Sequence, residues 1–244
     1  MNGVILAAGI ASRLRPLTDN TPKCLLKLGE KTILQRTVDN LLSNGITSLV
    51  VVTGYLREQI ESFFGEHYPE LRVTFIHNEV YDSTNNIYSL WLARDAVRGD
   101  DMLLLDSDIL FDPRIVTSLL DSPHPDCLAL NRDIEVGEEE IKVRLDNEQR
   151  VHEISKVVAI PDAAGESIGI ERFSPAFVDH LFTVLERMIE QEKRVDIFYE
   201  AAFEEVIREG RALYAVDISQ YPCMELDTVE DFHAAGRHIL PGLA

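Results

Sequence analysis

The sequence predicts an α/β fold in which a mostly parallel, Rossmann-like sheet carries helices on both faces. Apolar segments of strand length alternate with segments of helical spacing through the first 131 residues. This alternation is typical of βαβ units, whose right-handed crossovers place helices on both sides of a sheet. The predicted strands cover about 3–8, 48–53, 72–77, 102–106 and 127–131, and the predicted helices about 32–43, 55–64, 86–97 and 113–120.

After residue 132 the pattern changes to shorter strands, which predict a small antiparallel insertion around a turn at Asn147. Ser174 and Pro175 form a typical N-cap and first-turn pair, so a helix is expected to begin there. The remaining predicted elements are strands at about 143–145, 151–158, 167–172 and 212–218, and helices at about 176–191, 197–208 and 228–239.

The composition excludes several classes of partner. Lys and Arg number 23 and Asp and Glu number 42, so the net charge is −19. Such a field repels phosphate backbones and anionic membranes, so we expect neither nucleic-acid nor membrane binding. Cys24, Cys127 and Cys223 lack metal-ligand spacing and fit a reducing cytoplasm. No apolar run approaches the length of a membrane span, so a cytoplasmic location is expected.

The loop after the first strand carries the most informative motif. Residues 4–14 read VILAAGIASRL, and Thr-Pro-Lys follows at 21–23. Small residues let backbone N–H groups approach an anion, and Arg13 and Lys23 supply positive charge in an acidic chain. The loop has neither a Walker ending nor a GxGxxG pattern. We therefore expect a nucleotide triphosphate to bind here, with Lys23 facing solvent.

Two acidic segments indicate a divalent metal. Asp106 and Asp108 come just after the buried strand 102–106, and the second segment, 224–231, contains Asp227. Mg²⁺ binds oxygen ligands and usually takes only one or two protein carboxylates. Helix capping remains an alternative for all three aspartates, because Asp commonly begins helices.

The segment 78–90, NEVYDSTNNIYSL, offers polar groups for a nucleobase. The adjacent amides of Asn85 and Asn86 open a predicted helix and can donate and accept hydrogen bonds at a base edge. An N-cap on an amphipathic helix with Tyr88 and Trp91 in the core is the alternative reading. Ligands of such sheets bind beyond the carboxyl ends of the strands. The loop at Gly9, Gly54 with Tyr55, Asn78 and Asp106 all follow predicted strands there.

These motifs resemble those of the nucleotidyltransferases that join a nucleotide to a sugar phosphate or a small alcohol phosphate. That family usually carries LAAGxGxRL followed by TPK, and Ala11 stands at its second glycine. The run NNIYSL is similar to that of the phosphocholine and phosphonate cytidylyltransferases. The resemblance implies CTP as the nucleotide, and Mg²⁺ on Asp108 and Asp227, with Asp106 as a water-mediated helper.

Two further segments resemble the acceptor-binding parts of the same cytidylyltransferases, namely VDIFYE at 195–200 and SIGIE at 167–171. Acidic and aromatic side chains together suit a cation such as an ammonium group. Acidic residues at helix starts are also common partners of the helix dipole, which leaves a structural role open. The implied acceptor-binding residues are Gly169, Glu171, Asp196, Tyr199 and Glu200.

The resemblance implies a single domain over 1–244, with 1–131 mainly binding the nucleotide and 132–244 mainly binding the acceptor. The implied enzyme transfers CMP from CTP to a small amine-bearing phosphate or phosphonate, with Lys23 and Arg13 as catalytic residues. Alternatives are a sugar-1-phosphate nucleotidyltransferase that uses UTP, GTP or dTTP, and a catalytically silent nucleotide-sensing subunit. The expected nucleotide contacts are Leu6, Ala7, Ala8, Gly9, Ile10, Ala11, Ser12, Arg13, Lys23, Gly54, Tyr55, Asn78, Thr84, Asn85, Asn86, Ser89 and Asp106.

Overall fold

Strands and helices alternate along most of the chain in a computed structural model that describes residues 1–134 and 137–243. The strands are β1 (Asn2–Ala7), β2 (Lys27–Leu28), β3 (Lys31–Thr32), β4 (Ser48–Thr53), β5 (Arg72–His77), β6 (Met102–Asp106), β7 (Ile109–Phe111), β8 (Cys127–Asn131), β9 (Lys142–Leu145), β10 (Val151–Ser155), β11 (Gly165–Phe173), β12 (Tyr214–Asp217) and β13 (Cys223–Glu225). The helices are α1 (Ile33–Ser43), α2 (Arg57–His67), α3 (Asn86–Leu92), α4 (Arg94–Val97), α5 (Arg114–Leu120), α6 (Pro175–Glu186), α7 (Glu200–Arg208) and α8 (Val229–His238).

Within the described ranges, nine strands form one sheet with a parallel centre. β6, β1, β4 and β5 lie side by side in that order, and each pair of neighbours is parallel. β11 runs antiparallel to β6 and joins β8 and β9 to the sheet, while β12 lies parallel to β8. The predicted fold class, a mostly parallel sheet with an antiparallel addition, is confirmed.

Alternate side chains of β1 pack into two separate cores. Val4 and Leu6 face a core shared with α3, α6 and α7, whereas Ile5 and Ala7 face a core shared with α1, α2 and α5. Both faces of the parallel strands are therefore covered by helices, which explains why these strands read as continuous apolar runs. The covered faces leave the strand ends as the part of the sheet open to a ligand.

The insertion and the helix start predicted in the second half are both confirmed. β9 and β10 pair as an antiparallel hairpin, and the Asp146 carboxylate accepts from the backbone N–H groups of Glu148 and Arg150 at 2.8 and 3.0 Å. These bonds fix the turn around Asn147. Ser174 caps α6, since its hydroxyl accepts from the N–H of Phe177.

The helices differ from the predictions mainly in length. The helix predicted over 86–97 is divided into α3 and α4, because the N–H of Ala93 bonds to the carbonyl of Leu90 in a tighter turn. The helix predicted over 176–191 is α6 followed by a π-helical turn, Arg187–Gln191. No helix in the described part of the chain is both long and apolar enough to cross a membrane.

Two short strands that the sequence did not predict shape the ligand edge of the sheet. β7 follows Asp108 directly and pairs antiparallel with β13, which puts Glu225 opposite Ile109. The N–H of Leu226 also donates to the carbonyl of Asp108 at 3.0 Å. This pairing brings the C-terminal acidic segment to the end of β6. Three-residue strands are too short to show a period of two in the sequence.

The loop after β1 turns at Ala11, whose backbone adopts the left-handed conformation with φ 52° and ψ 52°. The Thr18 hydroxyl donates to the Ala11 carbonyl at 2.9 Å and holds the turn. The left-handed conformation costs a residue with a Cβ about 1–2 kcal/mol of free energy, whereas glycine adopts it freely. The glycine usual in the resembled family therefore fits the backbone at this position better than Ala11 does.

Ala11→Gly is expected to raise the free energy of unfolding by about 0.5–1 kcal/mol. Glycine relieves the left-handed strain, although it loses more chain entropy on folding. Urea unfolding measures the change. The matched control is Ala159→Gly, in an exposed loop with φ −64°, where the entropy loss alone should lower stability. If the free energy of unfolding fell equally in both variants, the Ala11 turn would be unstrained.

Candidate active site

A cavity of about 370 Å³ lies at the carboxyl ends of β1 and β6, beside the start of α3. This volume is within the range of small-molecule sites, and the position is the one expected for ligands of parallel sheets. The sequence-predicted residues that line it are Leu6, Ala7, Ala8, Gly9, Ala11, Arg13, Lys23, Asn78, Thr84, Asn85, Asn86, Ser89, Asp106, Asp108, Gly169, Glu200 and Asp227. Those outside its lining are Ile10, Ser12, Gly54, Tyr55, Glu171, Asp196 and Tyr199.

The loop after β1 offers three consecutive backbone donors. Among the described residues, the N–H groups of Gly9, Ile10 and Ala11 have no hydrogen-bond acceptor. Successive N–H groups around a left-handed residue form a concave site for an anion. Ile10 contributes through its backbone rather than its side chain, so its place outside the lining does not remove it from this group.

Gly54 and Tyr55 support the loop from behind. A Cβ on Gly54 would lie 2.6 Å from the carbonyl oxygen of Ala8 and 2.7 Å from Cβ of Tyr81, so only glycine allows this approach. The N–H of Tyr55 donates to the Ala8 carbonyl at 3.1 Å, and its hydroxyl donates to the Asp19 carbonyl at 2.8 Å. Both residues therefore position the loop, and Tyr81, which the sequence did not single out, lines the cavity instead.

Lys23 is largely shielded from solvent, which corrects the expectation that it faces solvent. Its side chain is 10% exposed, and its Nζ lies 2.7 Å from Asp108 and 2.8 Å from Asp227. Burial alone would lower the pKa of Lys23, but these two carboxylates outweigh it and the pKa is raised. The ammonium group is therefore held charged beside the carboxylates.

Asp227 receives a second cation from the same loop. Arg13, which is largely exposed, lies 2.6 Å from the other carboxylate oxygen. Burial opposes ionisation of Asp227, yet Lys23 and Arg13 hold the pKa of this carboxyl below its usual range. The two predicted catalytic cations thus converge on one predicted metal ligand.

Glu225 joins Asp108 and Asp227, and sequence reasoning missed its role. One oxygen from each of the three carboxylates lies within 4.8 Å of the others. Although Glu225 as a whole residue is exposed, desolvation of its carboxyl group, then repulsion from Asp108 and Asp227, raises the pKa of Glu225 to about 8. The signal was present, since Glu225 lies two residues before Asp227, and alternate residues of an extended segment point the same way.

These carboxylates suit a divalent cation. The second oxygen of Asp108 is buried without a hydrogen-bond partner among the described residues, although its first oxygen accepts from Lys23. Three oxygen donors in one place fit Mg²⁺, which prefers carboxylates and water. Asp108, Asp227 and Glu225 are therefore the residues that could hold the ion.

The amides at the start of α3 are partly committed to the protein. The Asn85 side-chain oxygen caps the N–H of Asn86 at 2.8 Å, and the Asn86 side-chain oxygen accepts from the N–H of Tyr199 at 2.9 Å. Both NH₂ groups remain as donors. Asn78 is fully buried and donates to Thr84 and Ser89, so it supports the helix start.

Three acidic side chains, those of Asp106, Glu171 and Glu200, lie close together on the acceptor side of the cavity. The Tyr199 hydroxyl donates to Asp106 at 2.9 Å, and Gly169, with φ +71°, lets β11 approach Asp106 closely. Glu171 is fully buried behind this pair, and burial, then Asp106 and Glu200, raises its pKa well above the usual value. Burial raises the pKa of Glu200, which does line the cavity, to about 7.

The acceptor-side wall differs from the predicted set. Asp196 is exposed and lies outside the cavity lining, whereas Phe198, two residues later, lines it. Glu166 and Lys156 also line the cavity, and the Lys156 ammonium lies 4.6 Å from the centre of the Phe198 ring. Glu166 and Lys156 lie in none of the sequence motifs named above, so only the fold identifies them, whereas Phe198 lies within the VDIFYE segment.

The fold and this site define a nucleotidyltransferase. The family model of the MobA-like NTP transferase domain matches residues 3–201, so the chain belongs to that family. The family predicted from the motifs of the nucleotide loop is thereby confirmed.

Known relatives include cytidylyltransferases and a UTP–glucose-1-phosphate uridylyltransferase of Haloferax volcanii, to which the chain is 27% identical over 89% of its length and 88% of that relative. The chain is 35% identical over 108 residues to choline-phosphate cytidylyltransferase of Streptococcus pneumoniae, an alignment that covers 44% of each chain and thus less than half of that relative. It is 25% identical to CTP:phosphoglutamine cytidylyltransferase of Campylobacter jejuni, over 95% of this chain and 97% of that one. The solved structure of CTP:phosphocholine cytidylyltransferase from S. pneumoniae superposes with a TM-score of 0.77 at 23% identity and covers 97% of each chain, which shows a shared fold.

Glu200→Gln should stabilise the protein more at pH 8 than at pH 5. The folded-state pKa of about 7 exceeds the ordinary 4.5, so the native state keeps a proton that the unfolded chain releases. Wild-type stability therefore falls as the pH rises from about 4.5 to 7, and glutamine removes that loss. The difference between the two pH values should be about 2–3 kcal/mol.

Denaturant unfolding of both proteins at the two pH values measures this difference. Glu70→Gln is the matched control, because Glu70 is exposed and the substitution should shift stability equally at both pH values. A pH-independent effect of Glu200→Gln would mean that the Glu200 carboxyl is already ionised at pH 5.

Proposed function

We propose that this chain is a Mg²⁺-dependent cytidylyltransferase that transfers CMP from CTP to a small amine-bearing phosphate or phosphonate and releases pyrophosphate. The observation that carries the proposal is one cavity that combines an anion-accepting loop, a largely shielded lysine and three convergent carboxylates. The names of the cytidylyltransferases among the relatives reported above support CTP as the nucleotide.

In the proposed reaction, an oxygen of the acceptor phosphate or phosphonate attacks the α-phosphorus of CTP in line. The new P–O bond forms as the bond from the α-phosphorus to the α,β-bridging oxygen breaks, and that electron pair leaves with pyrophosphate. No covalent enzyme intermediate is needed. The protein contributes mainly by positioning the reactants and neutralising charge.

The residues of the nucleotide loop take the phosphate roles. The N–H groups from Gly9 to Ala11 and the Arg13 guanidinium would bind the β- and γ-phosphates, and Lys23 would offset the charge on the α-phosphate. Asp108, Glu225 and Asp227 would hold Mg²⁺, which supplies further neutralisation of phosphate charge when bound. On this proposal residues 1–131 mainly bind the nucleotide and residues 132–244 mainly bind the acceptor.

The amides at the start of α3 support cytosine as the base. Because the side-chain oxygens of Asn85 and Asn86 are engaged, each amide has its NH₂ group left to offer to a ligand. Cytosine presents two neighbouring acceptors, O2 and N3, on its pairing edge, whereas uracil presents an N3–H donor between its oxygens. Two donors therefore match cytosine and meet an unfavourable donor on uracil.

The acceptor side of the cavity supports an amine. Carboxylates of Glu166 and Glu200 and the ring of Phe198 face this part of the cavity. An ammonium group is stabilised by carboxylates, and an aromatic ring can hold a cation, as the Phe198 ring does with Lys156. A neutral polyol would gain less from a wall that already carries excess negative charge.

Pyrophosphate release with four nucleotides and three acceptors tests the proposal. CTP, UTP, GTP and dTTP are each combined with phosphocholine, 2-aminoethylphosphonate or glucose-1-phosphate. We expect CTP with an amine acceptor to give a kcat/KM at least about tenfold above every other combination, since one mismatched polar contact costs about 1–3 kcal/mol. EDTA should abolish turnover, and added Mg²⁺ should restore it.

The alternatives give different outcomes in the same experiment. Preference for glucose-1-phosphate with UTP, GTP or dTTP would replace the proposal by a sugar-1-phosphate nucleotidyltransferase. Nucleotide binding without pyrophosphate release from any pair would instead indicate a sensing subunit. Full turnover in EDTA would remove the metal from the proposal.

A further inference from the structure

Glu166 is a buried carboxylate that faces the cavity without a partner. It lies on β11, lines the cavity and is only 8% exposed. Its carboxylate takes part in no ion pair or hydrogen bond with the described residues. It is also not one of the three carboxylates whose oxygens lie within 4.8 Å of one another.

Lys142 is the cation expected to neutralise Glu166, but its ammonium group is engaged elsewhere. The two residues are register partners on β9 and β11. Lys142 is 2% exposed, and its Nζ donates to the carbonyl oxygens of Gly137, Glu140 and Glu138 at 2.9, 3.2 and 3.4 Å. An ammonium group has three donors, so these bonds use all of them.

The other charged groups that act on Glu166 are mainly negative, and they disfavour its ionised form. Burial, then the charges of Glu140 and Asp227, raises the pKa of Glu166 to about 7, against a smaller opposite effect of Lys142. The Glu140 carboxylate itself is engaged by the N–H of Gly137 at 2.7 Å. A desolvated carboxylate among like charges destabilises a fold and is more typical of a binding site than of a structural position.

Glu200, the other buried carboxylate on this side, differs in its surroundings. Lys156 lies close enough to favour ionisation of Glu200, and an N–H group also stabilises its charged form. Asp227, by contrast, influences Glu166 and is absent from the charges that act on Glu200. Of these two carboxylates, Glu166 is thus the one that is opposed by the charge of Asp227 and whose favourable cation, Lys142, has its ammonium group engaged by carbonyl oxygens.

We infer that Glu166 binds the ammonium group of the acceptor and thereby sets the preference for amine-bearing acceptors. The inference rests on the proposed function. Glu166, Lys23 and Asp227 line one cavity of about 370 Å³, which favours an acceptor with a short chain between phosphorus and nitrogen. The ammonium group would supply the counter-charge that Lys142 does not.

The test compares two acceptors of nearly equal shape. 2-Aminoethylphosphonate carries an ammonium group where propylphosphonate carries a methyl group. In Glu166→Gln, KM for 2-aminoethylphosphonate should rise about ten- to a hundredfold, as expected for the loss of one charged contact. KM for propylphosphonate and for CTP should stay near the wild-type values.

Two further variants separate binding from structure. Glu166→Asp keeps the charge and should recover part of the lost affinity for 2-aminoethylphosphonate. Glu148→Gln removes an exposed carboxylate outside the cavity and should behave as wild type. Thermal unfolding should find Glu166→Gln at least as stable as wild type, because the substitution removes a buried, unpaired charge.

The outcomes distinguish this inference from the proposed function. If wild type uses 2-aminoethylphosphonate and Glu166→Gln does so equally well, the inference is wrong and the proposed function stands. A rise in all three KM values with a loss of stability would assign Glu166 a structural role and overturn the inference. A changed Mg²⁺ titration with unchanged acceptor KM would overturn it in favour of a metal contact. If wild type uses no amine acceptor, the proposed function fails, and the inference fails with it.

Discussion

The contact of Lys23 with Asp108 and Asp227 is the interaction on which the site depends. It joins three segments that are far apart in the chain, since Lys23 is 85 residues from Asp108 and 204 residues from Asp227. Without this cation, the carboxylates of Asp108, Asp227 and Glu225 would repel one another in a partly desolvated place. The ion pairs therefore hold the nucleotide loop, the end of β6 and the C-terminal segment together.

A small apolar core holds the same three segments together next to these ion pairs. Leu14 and Leu26 from the N-terminal loops pack with Leu110 of β7. Leu226, just before α8, and Ala235 within α8 belong to this core, which is separate from the cores on the two faces of the sheet. This small core fixes the backbone, and the ion pairs fix the side chains. An acidic chain with net charge −19 can in this way present localised cations to a triphosphate.

Sequence reasoning identified the parts of the fold and site that depend on local pattern. Continuous apolar runs predicted β1, β4 and β6, and small residues predicted the loop at Gly9, because both features act over a few neighbouring residues. The N-cap at Ser174 and the turn at Asn147 were predictable for the same reason. Membership in the family followed from the loop motif at 4–14 together with Thr-Pro-Lys at 21–23.

Features that depend on tertiary contacts could not be predicted. The shielding of Lys23 from solvent requires Asp108 and Asp227, which only the pairing of β7 with β13 brings together. Glu166 gains its significance from the engagement of Lys142 with a neighbouring loop, which no local pattern encodes. The exposure of Asp196 outside the cavity and the place of Phe198 at the cavity wall likewise follow from how the chain enters α7.

A double-mutant cycle on Lys23 and Asp227 tests the central claim most directly. The free energy of unfolding is measured in EDTA for wild type, Lys23→Met, Asp227→Asn and the double variant. The account predicts that each single variant is destabilised and that the two effects are coupled by about 1–3 kcal/mol, because each partner leaves the other unpaired. Effects that add within about 0.5 kcal/mol would show that the pair does not hold the site together.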